Sequence, residues 1–508
     1  MYNSWYMKLL SRLLDDFATI RFGIWVVFFA LVGMALALAI GLQQSIWFDE
    51  AYSILVARQD VAEILRLSAI DTHPPGYYLT LHYWAGVFGW SDVSLRMLSI
   101  MAYGSSIAVS GLLVRKMFGS KAALTAMVVV AVSPFLIRYG FEIRMYALGS
   151  FIGILATYVL LKARDSSGNA ARSYWALYAL LVAVGVYVIY YLALLWIAHL
   201  IWLLAQAVLA HRLTKLHREP WLYAYVGSVV LFLPWLWVFL QQVGNGALAP
   251  IGKAMNLEQL LGIVTFNTVY QPVWQLGVAV SLLVLAMLGM FAWVIPKVYK
   301  SLRKQQRSYL LLLASYSLVP IVILVVVSFF KEMYVERYLA HVAIGLMSLL
   351  AVILYKSWSV SLRAAQLLTM VFVVAIAVGL WQLSQVGNFN FQRMEKPTVA
   401  TVAQHIGECN FDTMILAQGP YEAIELMAYY PECPVWFHSP DEELRGGYAP
   451  LSGSSYQIRA TSIVGFSNTI AYVHYGEPII EIDDRYQVSE SKLEGALRIT
   501  TYKLVSED

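Results

Sequence analysis

Apolar residues run along this chain in blocks close to the ~20 residues that a helix needs to cross the hydrocarbon layer of a bilayer, separated by short polar connections. One helix per block predicts about eleven spans, near 22–42, 96–116, 121–139, 144–163, 174–189, 191–210, 221–240, 273–295, 309–330, 337–355 and 364–384. The stretch from Pro75 to Gly89 is too short and too aromatic to cross, so it is predicted to lie along the interface. The first block follows a segment carrying Lys8, Arg12 and Arg21 that is too long and mixed for a cleaved secretion signal, and is expected to stay as an anchor.

Past Ser384 the pattern changes. β-like runs at Met414–Ala417, Val435–His438, Ser462–Phe466 and Leu497–Leu504 alternate with helix-like ones at Thr398–Ile406 and Tyr421–Tyr429. That pattern predicts a small α/β layer. The expected organisation is a polytopic α-helical membrane domain over 1–384, with an outer loop at 45–95, and an extracytoplasmic α/β domain over 385–508.

Composition agrees with this reading. Apolar residues make up 60% of the chain and charged ones 13%, against about 45–50% and about 25% in soluble domains. The net charge of +4 gives no reason to expect a nucleic-acid partner; the bilayer is the expected surroundings. Lys and Arg placement sets the orientation. With the N-terminus inside, the inner connections hold Arg115, Lys116 and Lys121; Lys162, Arg164 and Arg172; Arg212, Lys215 and Arg218; Lys297, Lys300, Arg303, Lys304 and Arg307; and Lys356 and Arg363, as the positive-inside rule requires. If 75–89 crossed, the basic 297–307 connection would face outward.

The same parity puts the Asp49–Arg96 loop, the Arg138–Arg144 turn and the Lys331–Arg337 turn on one outer face, where their ionisable residues can meet. Cys409 and Cys433 also fall outside, where an oxidising environment permits a disulfide; two free thiols are the alternative.

The candidate chemistry lies in these outer segments. A carboxylate at the mouth of a bundle can act as a base or hold a metal. Asp49 and Glu50 are adjacent on a helix, about 100° apart, so they cannot both aim at one atom. Asp49 is the expected base, and simple capping of the following helix is the alternative. His73 sits before Pro74 and Pro75, which stiffen the corner that presents it to substrate or shape only a turn. Arg96, Arg138, Arg144 and Arg337, with Tyr338 beside the last, suit a phosphate because a guanidinium binds two oxygens at once. Lipid-headgroup anchoring would use the same arginines. Arg138 and Glu142, four apart, also fit a plain helix-surface salt bridge.

Phe48-Asp49-Glu50, His73-Pro74-Pro75-Gly76, Leu95-Arg96-Met97-Leu98-Ser99, Glu142-Ile143-Arg144-Met145-Tyr146 and Arg337-Tyr338-Leu339 occur in this order across the membrane part. Together they resemble the multi-span glycosyltransferases of the GT-C fold, in particular glycosyltransferase family 39 with its protein O-mannosyltransferases and the lipid A aminoarabinose transferases. The resemblance implies an inverting transferase at the cell membrane that passes a sugar from a polyprenyl-phosphate carrier to an extracytoplasmic acceptor. It further implies that Asp49 is the base, that Glu142 assists, and that Arg96, Arg144 and Arg337 hold the carrier phosphate. The chain departs from some relatives at Ile189-Tyr190-Tyr191, where those have a His-Tyr pair.

Two other classes share parts of this pattern. A lipid-linked oligosaccharide flippase would show charges near the bilayer midplane, whereas these spans are nearly free of charge in their centres. A diphosphate-carrier oligosaccharyltransferase would need metal-binding acids spaced as Asp-x-Asp, but here the loop acids are adjacent. No metal site or cofactor is assigned, and a need for a divalent metal is left open.

Overall fold

The computed structural model describes residues 22–244, 255–332, 334–385, 398–410, 412–441, 444, 446–463 and 467–505. Lys8, Arg12, Arg21 and the end of the run at 462–466 lie outside them. In chain order the helices are α1 Phe22–Gly41, α2 Phe48–Ala57, α3 Val61–Ile70, α4 Gly76–Phe88, α5 Asp92–Phe118, α6 Ser120–Ala131, α7 Pro134–Phe141, α8 Tyr146–Asp165, α9 Gly168–Val188, α10 Leu192–Leu209, α11 Pro220–Gly244, α12 Leu257–Thr268, α13 Val278–Ser301, α14 Lys304–Ser328, α15 Ala340–Ser357, α16 Leu362–Gln385, α17 Val399–Ile406 and α18 Pro420–Tyr429. The strands are β1 Thr413–Ala417, β2 Val435–His438, β3 Gln457–Ile458, β4 Ser462–Ile463, β5 Thr469–Tyr475, β6 Glu481–Ile482, β7 Tyr486–Glu494 and β8 Leu497–Leu504.

Among the described residues ten helices are long and apolar enough to cross a membrane, or eleven if one bent pair counts as a span. The chain is a multi-pass membrane protein. The bent pair is α6 and α7, expected from the sequence as one helix over 121–139 but bent by 62°. Pro134 explains the break. It stands at the first position of α7 and forces Ser133 into an extended conformation (φ −66°, ψ 118°), so the α6 hydrogen-bond ladder cannot run through.

The chain divides into two compact units. The first takes in residues up to 39, 92–241 and 248–383. Its helices approach closely where a side chain is missing: a Cβ on Gly345 of α15 would run into the Tyr316 ring of α14, and one on Gly379 of α16 into the Thr268 carbonyl. Small residues at such contacts are the usual means of packing helices in lipid, where van der Waals fit replaces hydrophobic exclusion. A buried polar chain adds specificity, with His199 of α10 at 3.0 Å from both Thr157 Oγ1 of α8 and Tyr178 OH of α9. Tyr178 in turn meets Tyr225 of α11 at 3.0 Å, and Tyr225 donates to the Trp196 carbonyl at 2.7 Å. Several basic ends gather at one end of this unit. Arg115 stacks on Phe22, Lys116 pairs with Asp165, and Arg164 donates to Gln206. These contacts bring the start of α1 together with the ends of α5, α8 and α10.

The second unit takes in residues 40–91, 242–247 and 384 onward. Its six-stranded sheet has the order β3-β2-β1-β5-β8-β7. β3, β2, β1 and β5 pair in parallel and β5, β8 and β7 antiparallel. Met414, Leu416, Ile470, Tyr472, Ile480 and Tyr486 form its core, and α18 makes the crossover from β1 to β2 that parallel pairing requires. The disulfide Cys409–Cys433 joins the segments that lead into β1 and β2. The mixed α/β layer agrees in kind with the sequence pattern; β3, β5, β6 and β7 are additions to it, and β4, from the run that begins at Ser462, pairs with β6 outside the main sheet. The helices α2, α3 and α4 of the first loop belong to this unit.

Candidate active site

In the second unit Asp49 and Glu50 occupy the first turn of α2, where acids favour the helix dipole. The two carboxylates behave differently. Glu50 is buried and its Oε2 accepts the Trp47 N–H at 3.4 Å, which closes the start of the helix. Asp49 is half-buried, and its carbonyl accepts the Ser53 hydroxyl at 2.9 Å, which firms the turn beneath it. Capping thus describes Glu50, whose carboxylate turns back along the chain.

His73 stands on the corner before α4, and a neighbour holds its ring. Its Nδ1 is 3.2 Å from Asp71 Oδ2 and 2.8 Å from Thr72 Oγ1. Asp71 is buried, and Tyr78 donates to the same Oδ2 at 3.2 Å. From the end of α11, Gln242 Nε2 donates to the Ser68 and Asp71 carbonyls at 2.9 and 2.8 Å. An acid behind an imidazole fixes its tautomer and orientation.

In the first unit Arg96, Arg138, Glu142 and Arg144 come together around the turn between α7 and α8. All four are buried, Glu142 completely and Arg96 to 1% exposure. Arg138 Nη1 lies 3.7 Å from Glu142 Oε2. Arg96 of α5 donates to the Phe141 carbonyl at 3.3 Å, and Ser99, one turn on, donates to the Glu142 carbonyl at 2.6 Å. The turn itself is tight, with the Arg144 N–H donating to the Glu142 carbonyl at 2.7 Å. Arg138 also lies over the Phe141 ring at 4.8 Å. The Tyr139 hydroxyl is within electrostatic reach of Glu142, Tyr270, Arg138 and Arg337, which ties Arg337 to the group.

Arg337 rides on a short 3-10 turn, Glu336–Leu339, that leads into α15. Beneath it Tyr334, Leu339 and Val342 join Met255, Ile263 and Leu324 in an apolar cluster. Tyr338 is buried, with its ring 4.8 Å from that of Tyr191.

Three contributors escaped sequence reasoning. Tyr270 is fully buried after α12 with φ +55°, a left-handed conformation that costs a bulky residue energy and needs surroundings that hold it. Its hydroxyl meets the Arg138 guanidinium. Burial pushes its phenol well up while Arg138 draws it down, so it stays protonated at neutral pH. Asp71 and Gln242 are the other two. The pair Asn256 and Gln259, three apart, did carry a helix-start signal for α12, and the Asn256 side chain accepts the Glu258 N–H at 2.8 Å. Among the described residues no group of three His, Cys, Asp or Glu side chains could hold a metal ion.

The family model for dolichyl-phosphate-mannose-protein mannosyltransferase matches residues 72–238, about a third of the chain. The crystal structure of ArnT from Cupriavidus metallidurans in the apo state superposes with a TM-score of 0.60 at 12% identity, covering 94% of this chain and 97% of that one. The same protein bound to undecaprenyl phosphate gives 0.61 at 13%, covering 95% and 98%. The chain has the GT-C fold. A search of curated proteins finds no match. In this GT-C chain the Tyr190–Tyr191 position is filled by packing: Tyr190 OH accepts the Trp235 indole N–H at 2.7 Å, and Tyr191 lies on Tyr338.

Proposed function

We propose that this protein is an inverting glycosyltransferase that moves a sugar from a polyprenyl-phosphate carrier to an extracytoplasmic acceptor. The observation that carries the proposal is the gathering of buried guanidiniums, Arg96, Arg138 and Arg144, around the Glu142 turn, with Arg337 tied to it through Tyr139. Buried cations in a membrane protein are costly and are characteristic of sites that take an anion. The family model and the ArnT complex both name a polyprenyl phosphate, dolichyl in one and undecaprenyl in the other, which supports that class of carrier.

In this reading Asp49 takes the proton from the acceptor hydroxyl as its oxygen attacks the anomeric carbon. The bond from that carbon to the phosphate oxygen breaks, and the electron pair leaves on the phosphate. Arg96, Arg144 and Arg337 stabilise the charge that grows there. Glu142 keeps Arg138 in place, Glu50 fixes the start of α2, and His73, held by Asp71, contacts the donor. Phosphate is a good leaving group, so one base is enough.

Residues 1–384 form the transferase proper, with 45–95 as its outer catalytic loop, and 385–508 an extracytoplasmic domain. The N-terminus is cytoplasmic. The test is to give the purified protein radiolabelled polyprenyl-phosphate sugars with envelope lipid, glycan or protein acceptors. Release of the free carrier phosphate with label on the acceptor is expected. Movement of an intact lipid-linked sugar across vesicles, without transfer, would instead indicate a transporter.

A further inference from the structure

The backbone just before Asp49 is held by the C-terminal part of its own unit. Tyr429, the last residue of α18, accepts the Ile46 N–H on its hydroxyl at 2.8 Å and shares a hydrogen bond with Ser45 Oγ at 3.1 Å. Ser45 Oγ also accepts the Ala400 N–H of α17 at 3.0 Å, so one buried serine joins two C-terminal helices to the approach of α2. Phe48, next to Asp49, lies flat on Tyr421 with centroids 4.7 Å apart and planes at 9°, and Tyr448 meets it edge-on at 5.5 Å. Gly447 completes the grip, since a Cβ there would stand 3.2 Å from the Phe48 ring.

We propose that Tyr429 and Tyr421 are positioning residues for Asp49, and that their contacts with Ser45, Ile46 and Phe48 set the direction in which its carboxylate points. The inference rests on Asp49 being the base. α2 can close its first turn with Glu50 alone, so contacts at Ser45, Ile46 and Phe48 add orientation beyond what helix formation requires. A base must be held to within about 0.5 Å and 10–20° of its productive geometry, and a misplacement of about 1 Å costs roughly a hundredfold in rate.

The experiment compares kcat and donor KM for Tyr429→Phe, Tyr421→Ala and Tyr430→Phe in the full-length protein, with Asp49→Asn alongside. Tyr429→Phe removes one hydroxyl and keeps the ring. We expect kcat to fall roughly tenfold or more, with donor KM unchanged, and further for Tyr421→Ala. Tyr430→Phe is the control, because its hydroxyl bonds the Ala403 and Gly407 carbonyls instead; it should keep the wild-type kcat. Wild-type kcat in both Tyr429→Phe and Tyr421→Ala overturns the inference, as does an equal loss in Tyr430→Phe. If Tyr429→Phe does not fold, Tyr421→Ala against the control decides. An active Asp49→Asn removes the base assignment and the inference with it. An inactive Asp49→Asn beside indifferent tyrosines removes the inference alone.

Discussion

Arg138 Nη1 and Glu142 Oε2 stand 3.7 Å apart, both buried, with the Tyr270 hydroxyl interacting with the same guanidinium. Removing one partner of such a pair strands the other, at a cost of about 3–5 kcal/mol. Glu142→Gln keeps the shape and removes the charge. It is expected to lower the melting temperature in detergent and to cut the transfer rate roughly a hundredfold. A wild-type rate in a folded variant would show that Glu142 is only packing.

Arg337 enters the same group on a short turn, over an apolar cluster that does not depend on its charge. Arg337→Ala should therefore fold. Removing one such stabilising group should cost roughly a hundredfold in kcat/KM for the donor, while acceptor KM stays near wild type. Equal losses for donor and acceptor would assign Arg337 a structural role.

Asp71 holds His73 by Nδ1, and Tyr78 holds Asp71. Asp71→Asn keeps the shape of the corner and loses the charge behind the imidazole. Donor use should fall about tenfold or more, and His73→Ala added to it should cost little further. Independent, additive losses in the double variant would separate the two residues.

The spans were legible because lipid leaves a coarse signal: a run of apolar residues of one length, bounded by Lys and Arg. The bend at Pro134 was only half legible, since a proline announces a disturbance without saying whether the helix kinks or ends. The Arg138–Glu142 pair could be read from its spacing of four. Asp71 and His73 are two apart, but nothing local told that the extended backbone before Pro74 would turn both inward. Tyr270 left no trace, because its left-handed conformation and its contact with Arg138 come from tertiary packing. In the C-terminal sheet β1, β2 and β8 showed apolar runs, whereas β7 is exposed along most of its length and has no such run to read. The cysteine pair was open between disulfide and thiols, and spacing alone cannot decide that; the structure joins Cys409 to Cys433.

Orientation is a separate prediction, resting on the basic connections. A cysteine placed at Lys304, at the start of α14, should react with a membrane-impermeant maleimide only from the cytoplasmic side in sealed vesicles. Labelling from the outer side would invert the whole topology and with it the placement of the outer loop.

The most direct measurement is transfer of labelled sugar from a polyprenyl-phosphate donor by Asp49→Asn, in vesicles with the wild type alongside. The substitution keeps size and helix position but cannot take a proton. A folded, membrane-inserted protein that releases no carrier phosphate above background is the expected result. Transfer near the wild-type rate would contradict it.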